Sequence, residues 1–185
     1  MVELRRQFFD ILKEWKQTKK NECLLIKGAR QIGKTYIVEK FGRECYEDFV
    51  EINFIEHPEY CAVFDKGLDA DTVLSGLSAY LPSALFRRDR KTLLFLDEIQ
   101  ECPRLLTSLK YFHEKKPQLA VMAAGSLLGL SLNRDDKRKK TPTKKVSFPV
   151  GKVNFLEIPP MTFAEAVETT KIHSVAGILE NEKSL

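Results

Sequence analysis

Gly28-Ala29-Arg30-Gln31-Ile32-Gly33-Lys34-Thr35 decides how the rest of the chain is read. Two glycines separated by four residues and followed by Lys and Thr form the pattern of a phosphate-binding loop, or P-loop. Glycine permits the backbone angles of a tight loop whose N–H groups converge inward. Such a concavity cradles the β- and γ-phosphates of a nucleotide. Lys34 adds a point charge at the same oxygens, and the Thr35 hydroxyl is placed to ligate Mg²⁺. A helix starting near Lys34 would aim its positive end at the phosphates. The expected nucleotide contacts therefore run through Gly28, Ala29, Arg30, Gln31, Ile32, Gly33, Lys34, Thr35 and Tyr36.

The flanks agree with the motif. Cys23-Leu24-Leu25-Ile26-Lys27 is a short apolar run suited to a buried strand. Tyr36-Ile37-Val38-Glu39-Lys40-Phe41 has apolar residues at helical spacing, and Gly42 reads as a helix stop. Upstream, Leu4, Phe8, Ile11, Leu12 and Trp15 recur every three or four residues, which predicts an amphipathic helix.

Downstream, strand and helix patterns alternate. Asp48–Phe54 alternates apolar and polar residues as a second strand, and His57-Pro58 marks a turn. Asp69 caps a helix through Tyr80 that buries Val73, Leu74 and Leu77. Thr92-Leu93-Leu94-Phe95-Leu96-Asp97-Glu98 is a buried central strand ending in two carboxylates. Pro103 opens a helix striped by Leu105, Leu106, Leu109 and Phe112. Leu119–Ala124 forms a fourth strand before Gly125-Ser126, and Val153–Ile158 a fifth. Thr162-Phe163-Ala164-Glu165 fits a capping box for a final helix. The alternation predicts an α/β fold with a parallel sheet. Right-handed crossovers then bring the glycine loop, Asp97-Glu98 and Ser126 to one edge.

Composition narrows the function classes. The chain has 185 residues, 43% apolar and 30% charged, as in a globular protein with one proper core. No apolar run approaches ~18 residues, so no membrane span is expected. The N-terminal residues lack the apolar region of a signal peptide, making the cytoplasm the default location. Cys23, Cys45, Cys61 and Cys102 and the three histidines show no metal-ligand spacing. Net charge is +4, but residues 133–145 alone carry seven Lys/Arg against two Asp, or +5; the remainder is about −1. This stretch reads as a basic loop that could contact nucleic-acid phosphates, although it has no aromatic residue for stacking on bases.

An apolar strand ending in Asp usually supplies the second half of a P-loop site, and Asp97 lies 63 residues after Lys34, room for two crossovers. In this reading Asp97 joins Thr35 in holding Mg²⁺, often through water, and Glu98 is the general base for an attacking water. Ser126 donates to the γ-phosphate or the lytic water, with Gln100 a further candidate there. The alternatives are a solvated turn for the acid pair and a cap or turn role for Ser126. Phosphoryl transfer usually calls for an arginine as well. Arg30, Arg104 and Arg134 are the candidates, and no sequence feature chooses among them. An arginine given by a neighbouring copy would imply a homo-oligomer.

Four ordered motifs carry a wider resemblance: Lys27–Thr35, Leu96-Asp97-Glu98-Ile99-Gln100, Ala123-Ala124-Gly125-Ser126 and Phe148-Pro149-Val150-Gly151-Lys152-Val153. Together, from about Leu4 to Val167, the chain resembles a prokaryotic AAA+-like P-loop ATPase family whose members usually carry an uncharacterised, often nuclease-like C-terminal domain. The resemblance implies an ASCE-type three-layer sandwich with a mostly parallel five-stranded sheet in the order 5-1-4-3-2. By position it gives Lys34 and Thr35 the phosphate and Mg²⁺ roles, Asp97 and Glu98 the metal and base roles, and Ser126 a sensor role. It also favours ATP over GTP, and no N-K-x-D guanine signature is present.

The chain departs from that pattern in three places. It stops at Leu185, where similar proteins continue. The segment before Phe148 is longer and more basic. Lys152 stands where many relatives have Arg, and Lys cannot make the same fork of hydrogen bonds.

The expected organisation is an N-terminal helix and connector over residues 1–20 and a P-loop core over 21–160 that includes the basic loop. A C-terminal helical segment over 161–185 reads as a truncated lid or linker. Three functions stay open at this point: Mg²⁺-dependent ATP hydrolysis, a nucleotide-binding switch without turnover, and nucleic-acid binding through residues 133–145.

Overall fold

A computed structural model describes residues 7–18, 23–84, 86, 91–126 and 153–160. Helix α1 (Gln7–Thr18) precedes β1 (Cys23–Gly28), and α2 (Lys34–Cys45) follows the glycine loop. Then come β2 (Asp48–Asn53), a 3₁₀ turn at Pro58–Tyr60, α3 (Cys61–Lys66) and α4 (Ala70–Tyr80). Strand β3 (Thr92–Asp97), a 3₁₀ turn at Ile99–Glu101, α5 (Pro103–Lys115), β4 (Ala120–Ser126) and β5 (Val153–Glu157) complete the described elements.

The five strands form one parallel sheet in the order β2-β3-β4-β1-β5. This is the expected order counted from the opposite edge. Helices cover both faces, and the period of two along each strand divides the core between them. Leu24, Ile26, Leu93, Phe95, Ala120, Met122 and Ala124 pack with Phe8, Leu12, Ile37, Val38 and Phe41 of α1 and α2. Their neighbours Leu25, Ile52, Leu94, Leu96, Val121 and Ala123 pack with Phe64, Val73, Leu77, Leu105, Leu109 and Phe112 of α3, α4 and α5. Strands β3 and β4 are buried along their whole length, as continuous apolar runs in a covered parallel sheet should be.

Asp69 caps α4 as expected, its carboxylate accepting Thr72 N–H at 2.9 Å. Gly42 does not end α2, which continues to Cys45. A Cβ at position 42 would lie 2.2 Å from Phe49 Cδ2, so the glycine serves the close approach of the β2 ring to the helix. The short helix α3 had no sequence signal, because six residues are too few to establish a helical period. The expected helix at Thr162–Glu165 and the basic loop at 133–145 lie outside the described residues.

Candidate nucleotide site

The same period of two aims the site. Gly28, Asp97 and Ser126 stand at the C-terminal ends of β1, β3 and β4. Each continues the parity of the residues that face α2: Ile26, Phe95 and Ala124. Gly28 is the register partner of Ser126, and Asn53 that of Asp97. The strand ends of four neighbours thus meet at the start of α2.

The loop between β1 and α2 turns twice through left-handed backbone, at Gln31 (φ 61°) and Gly33 (φ 80°). Gly33 is the N-cap of α2 and has no side chain to cap it, so the first-turn amides of α2 receive no side-chain bond from the cap residue. Gly28 has a different reason to be glycine. A Cβ there would lie 2.5 Å from Ile32 Cδ1 and 2.8 Å from the Ile158 carbonyl oxygen. The loop folds back over β1 only because that space is empty.

Lys34 is buried, with its ammonium donating to the carbonyls of Gly28 (3.1 Å) and Ala29 (2.6 Å). Burial lowers its pKa, while Glu98 and then Asp97 oppose the shift and the Arg30 guanidinium adds to it. Both acids therefore lie within electrostatic reach of the loop lysine. Thr35, in the first turn of α2, donates its hydroxyl to Asp97 Oδ2 at 2.6 Å. The other Asp97 oxygen accepts the Glu98 backbone N–H at 2.8 Å. Asp97 is only 1% exposed, and burial raises its pKa against these two hydrogen bonds and the nearby Lys34.

Glu98 adopts a left-handed conformation (φ 54°, ψ 44°), which costs a non-glycine residue about 1 kcal/mol. The reversal turns the chain out of β3 into the 3₁₀ turn. Gln100 on that turn donates to Glu98 Oε2 and accepts the Ser126 N–H. Ser126 itself is buried at the end of β4.

The expected residues are thus brought together from Gly28 to Thr35, with Asp97, Glu98, Gln100 and Ser126. Tyr36, in the first turn of α2, is largely exposed. Of the three arginine candidates, Arg30 lies on the loop and Arg134 lies outside the described residues. Arg104 is engaged by Asp65 at the end of α3. Lys152 is also outside the described residues.

One pair went unread in the sequence. Glu51, between Val50 and Ile52 on β2, is partly buried near Glu39 of α2. Burial, then Glu39 and Asp97, push its pKa up to about 7. Alternation along the strand gave no sign of this, because the acid that helps raise the pKa belongs to α2.

The Thr35–Asp97 donor set, a hydroxyl and a carboxylate, is the hard-oxygen chemistry that suits Mg²⁺. Among the described residues, no helix is long and apolar enough to cross a membrane.

No curated protein matches the sequence significantly. Among solved structures, the Walker-type ATPase PABY2304 of Pyrococcus abyssi superposes with a TM-score of 0.54 at 15% identity. The alignment covers 91% of this chain and 57% of that one, so the chain spans little more than half of that ATPase. PCH-2 of C. elegans aligns with a TM-score of 0.45 at 15% identity, over 92% of this chain and 46% of its own. A family model described as the AAA domain matches residues 20–167, from before β1 to beyond β5. The chain belongs to the AAA domain family.

Proposed function

We propose that this domain binds ATP with Mg²⁺ and hydrolyses it. The observation that carries the reading is the 2.6 Å hydrogen bond from Thr35 to Asp97, which joins the start of α2 to the end of β3 across 62 residues of chain. A buried carboxylate held against burial beside a loop lysine and a threonine hydroxyl gains most when a divalent cation arrives. Membership of the AAA domain family supports nucleotide binding.

In this reading the amides of the loop and the first turn of α2 bind the β- and γ-phosphates. Lys34 exchanges the Gly28 and Ala29 carbonyls for phosphate oxygens. Thr35 and Asp97 would hold Mg²⁺, Asp97 directly or through water, and the ion would supply positive charge against the phosphate oxygens. Glu98 takes a proton from the attacking water as it adds to the γ-phosphorus, and the bond to the ADP oxygen breaks. Ser126, at the end of the neighbouring strand, contacts the γ-phosphate or that water.

Phosphate release and nucleotide binding, measured together, test the reading. Wild type should release phosphate from Mg²⁺-ATP. Glu98→Gln should bind ATP but lose turnover by about a hundredfold or more, and Lys34→Ala should lose affinity. Equal turnover in wild type and Glu98→Gln removes Glu98 from the mechanism. ATP binding with no phosphate release from wild type would make the domain a nucleotide switch instead.

A further inference from the structure

The Glu98 carboxylate is held in place by a neighbour. Gln100 spans from Glu98 Oε2, to which its Nε2 donates, to the Ser126 backbone, whose N–H it accepts at 3.3 Å. The amide orientation is fixed by its partners. Reversed, it would set an NH₂ group against an N–H and a carbonyl against a carboxylate. Gln100 rides on a 3₁₀ turn closed by Glu101 N–H to Glu98 O and Cys102 N–H to Ile99 O, both 3.0 Å, with Ile99 fully buried beneath it. Glu98 enters the turn through its left-handed backbone.

We propose that Gln100 is a positioning residue: its amide orients the Glu98 carboxylate and ties that orientation to the end of β4. The proposal rests on the hydrolytic reading of Glu98. It gives Gln100 a role besides the simpler expectation of contacting phosphate or water itself, because one N–H and one carbonyl lone pair of its amide are committed to Glu98 and Ser126. With Oε2 engaged, Glu98 keeps Oε1 as the oxygen that takes the proton. The resulting chain runs Thr35, Asp97, Glu98, Gln100, Ser126, each joined to the next by a hydrogen bond. It links the start of α2 to the ends of β3 and β4, so a shift of Ser126 on meeting the γ-phosphate would be felt at the base.

Single-turnover and steady-state hydrolysis of Mg²⁺-ATP by Gln100→Leu, Gln100→Glu, Glu98→Gln and the Glu98→Gln/Gln100→Leu double variant test this. Losing a hydrogen bond to a charged group should cost Gln100→Leu about tenfold in kcat, with KM changed by less than about twofold. In the Glu98→Gln background the same substitution should cost less than about twofold, because its effect passes through Glu98. Gln100→Glu keeps the shape and the acceptor for Ser126 N–H but sets carboxylate against carboxylate. It should be as slow as Gln100→Leu near pH 8 and regain activity relative to wild type as pH falls, when one shared proton restores the donor. If Gln100→Leu fails to fold, the near-isosteric Gln100→Glu profile decides alone.

Wild-type kcat in Gln100→Leu, an equal loss in both backgrounds, or a flat Gln100→Glu ratio overturns the positioning role while leaving hydrolysis standing. Absence of phosphate release from wild type would overturn hydrolysis itself, and the positioning role with it.

Discussion

Replacing Asp97 by Asn should leave the nucleotide-free fold at least as stable as wild type while removing its response to Mg²⁺. The two oxygens of Asp97 accept from Thr35 Oγ1 at 2.6 Å and Glu98 N–H at 2.8 Å. An Asn side chain can keep both contacts. Its carbonyl takes the Glu98 N–H, and its NH₂ donates to the Thr35 hydroxyl, which rotates to accept. Two charge-assisted hydrogen bonds become neutral ones, a loss of about 1 kcal/mol each. Against this stands the removal of a fully buried charge, whose desolvation costs several kcal/mol. The net is a gain of about 0–1.5 kcal/mol, or roughly 0–5 °C in Tm for a chain of this size.

The pH dependence has a definite sign. The folded state raises the Asp97 pKa, so it binds the proton more tightly than the unfolded chain does. The associated stability is complete below the unfolded value of about 4 and is lost as pH rises through the folded value. The advantage of Asn should therefore grow across that window and be full above the folded value. Thermal unfolding with and without Mg²⁺ and ATP reads all of this. Wild type at about a hundred times the Kd of Mg²⁺-ATP should gain about 2.7 kcal/mol, and Asp97→Asn should lack the Mg²⁺-dependent part. A ligand-free loss above about 2 kcal/mol, or an undiminished Mg²⁺-dependent shift, would refute the reasoning.

Other expectations follow from the packing around α2. Gly42→Ala should destabilise by about 1–3 kcal/mol in urea, although alanine favours a helix, because its methyl meets the Phe49 ring. Gly42→Ala/Phe49→Leu should recover part of the loss. Wild-type stability should fall by about 1 kcal/mol between roughly pH 4.5 and 7 as Glu51, protonated in the fold up to about pH 7, ionises beside Glu39. Glu51→Gln should flatten that slope; an unchanged slope would place the titration elsewhere. Thr35→Val should weaken Mg²⁺-dependent ATP binding about tenfold or more while leaving Mg²⁺-free nucleotide binding nearly unchanged, read by titration calorimetry.

The elements of the site were legible along the chain because their signals are local. A glycine loop between an apolar run and a helical stripe needs only neighbouring residues to be recognised, and so does an apolar strand ending in Asp97-Glu98. The parallel sheet followed from their alternation, and its strand order from resemblance. Other features required distant parts of the chain to meet. Gly42 read as a stop because a lone glycine weakens a helix; the ring that makes it necessary belongs to β2. Glu51 drew no notice because strand period alone cannot say which face a helix will cover. Gln100 was a vague candidate until folding set Glu98 on one side of its amide and Ser126 on the other. Residue type and spacing therefore determined which groups could do chemistry. Tertiary structure decided what each touches, and through burial and hydrogen bonding the charge state and direction in which it is held.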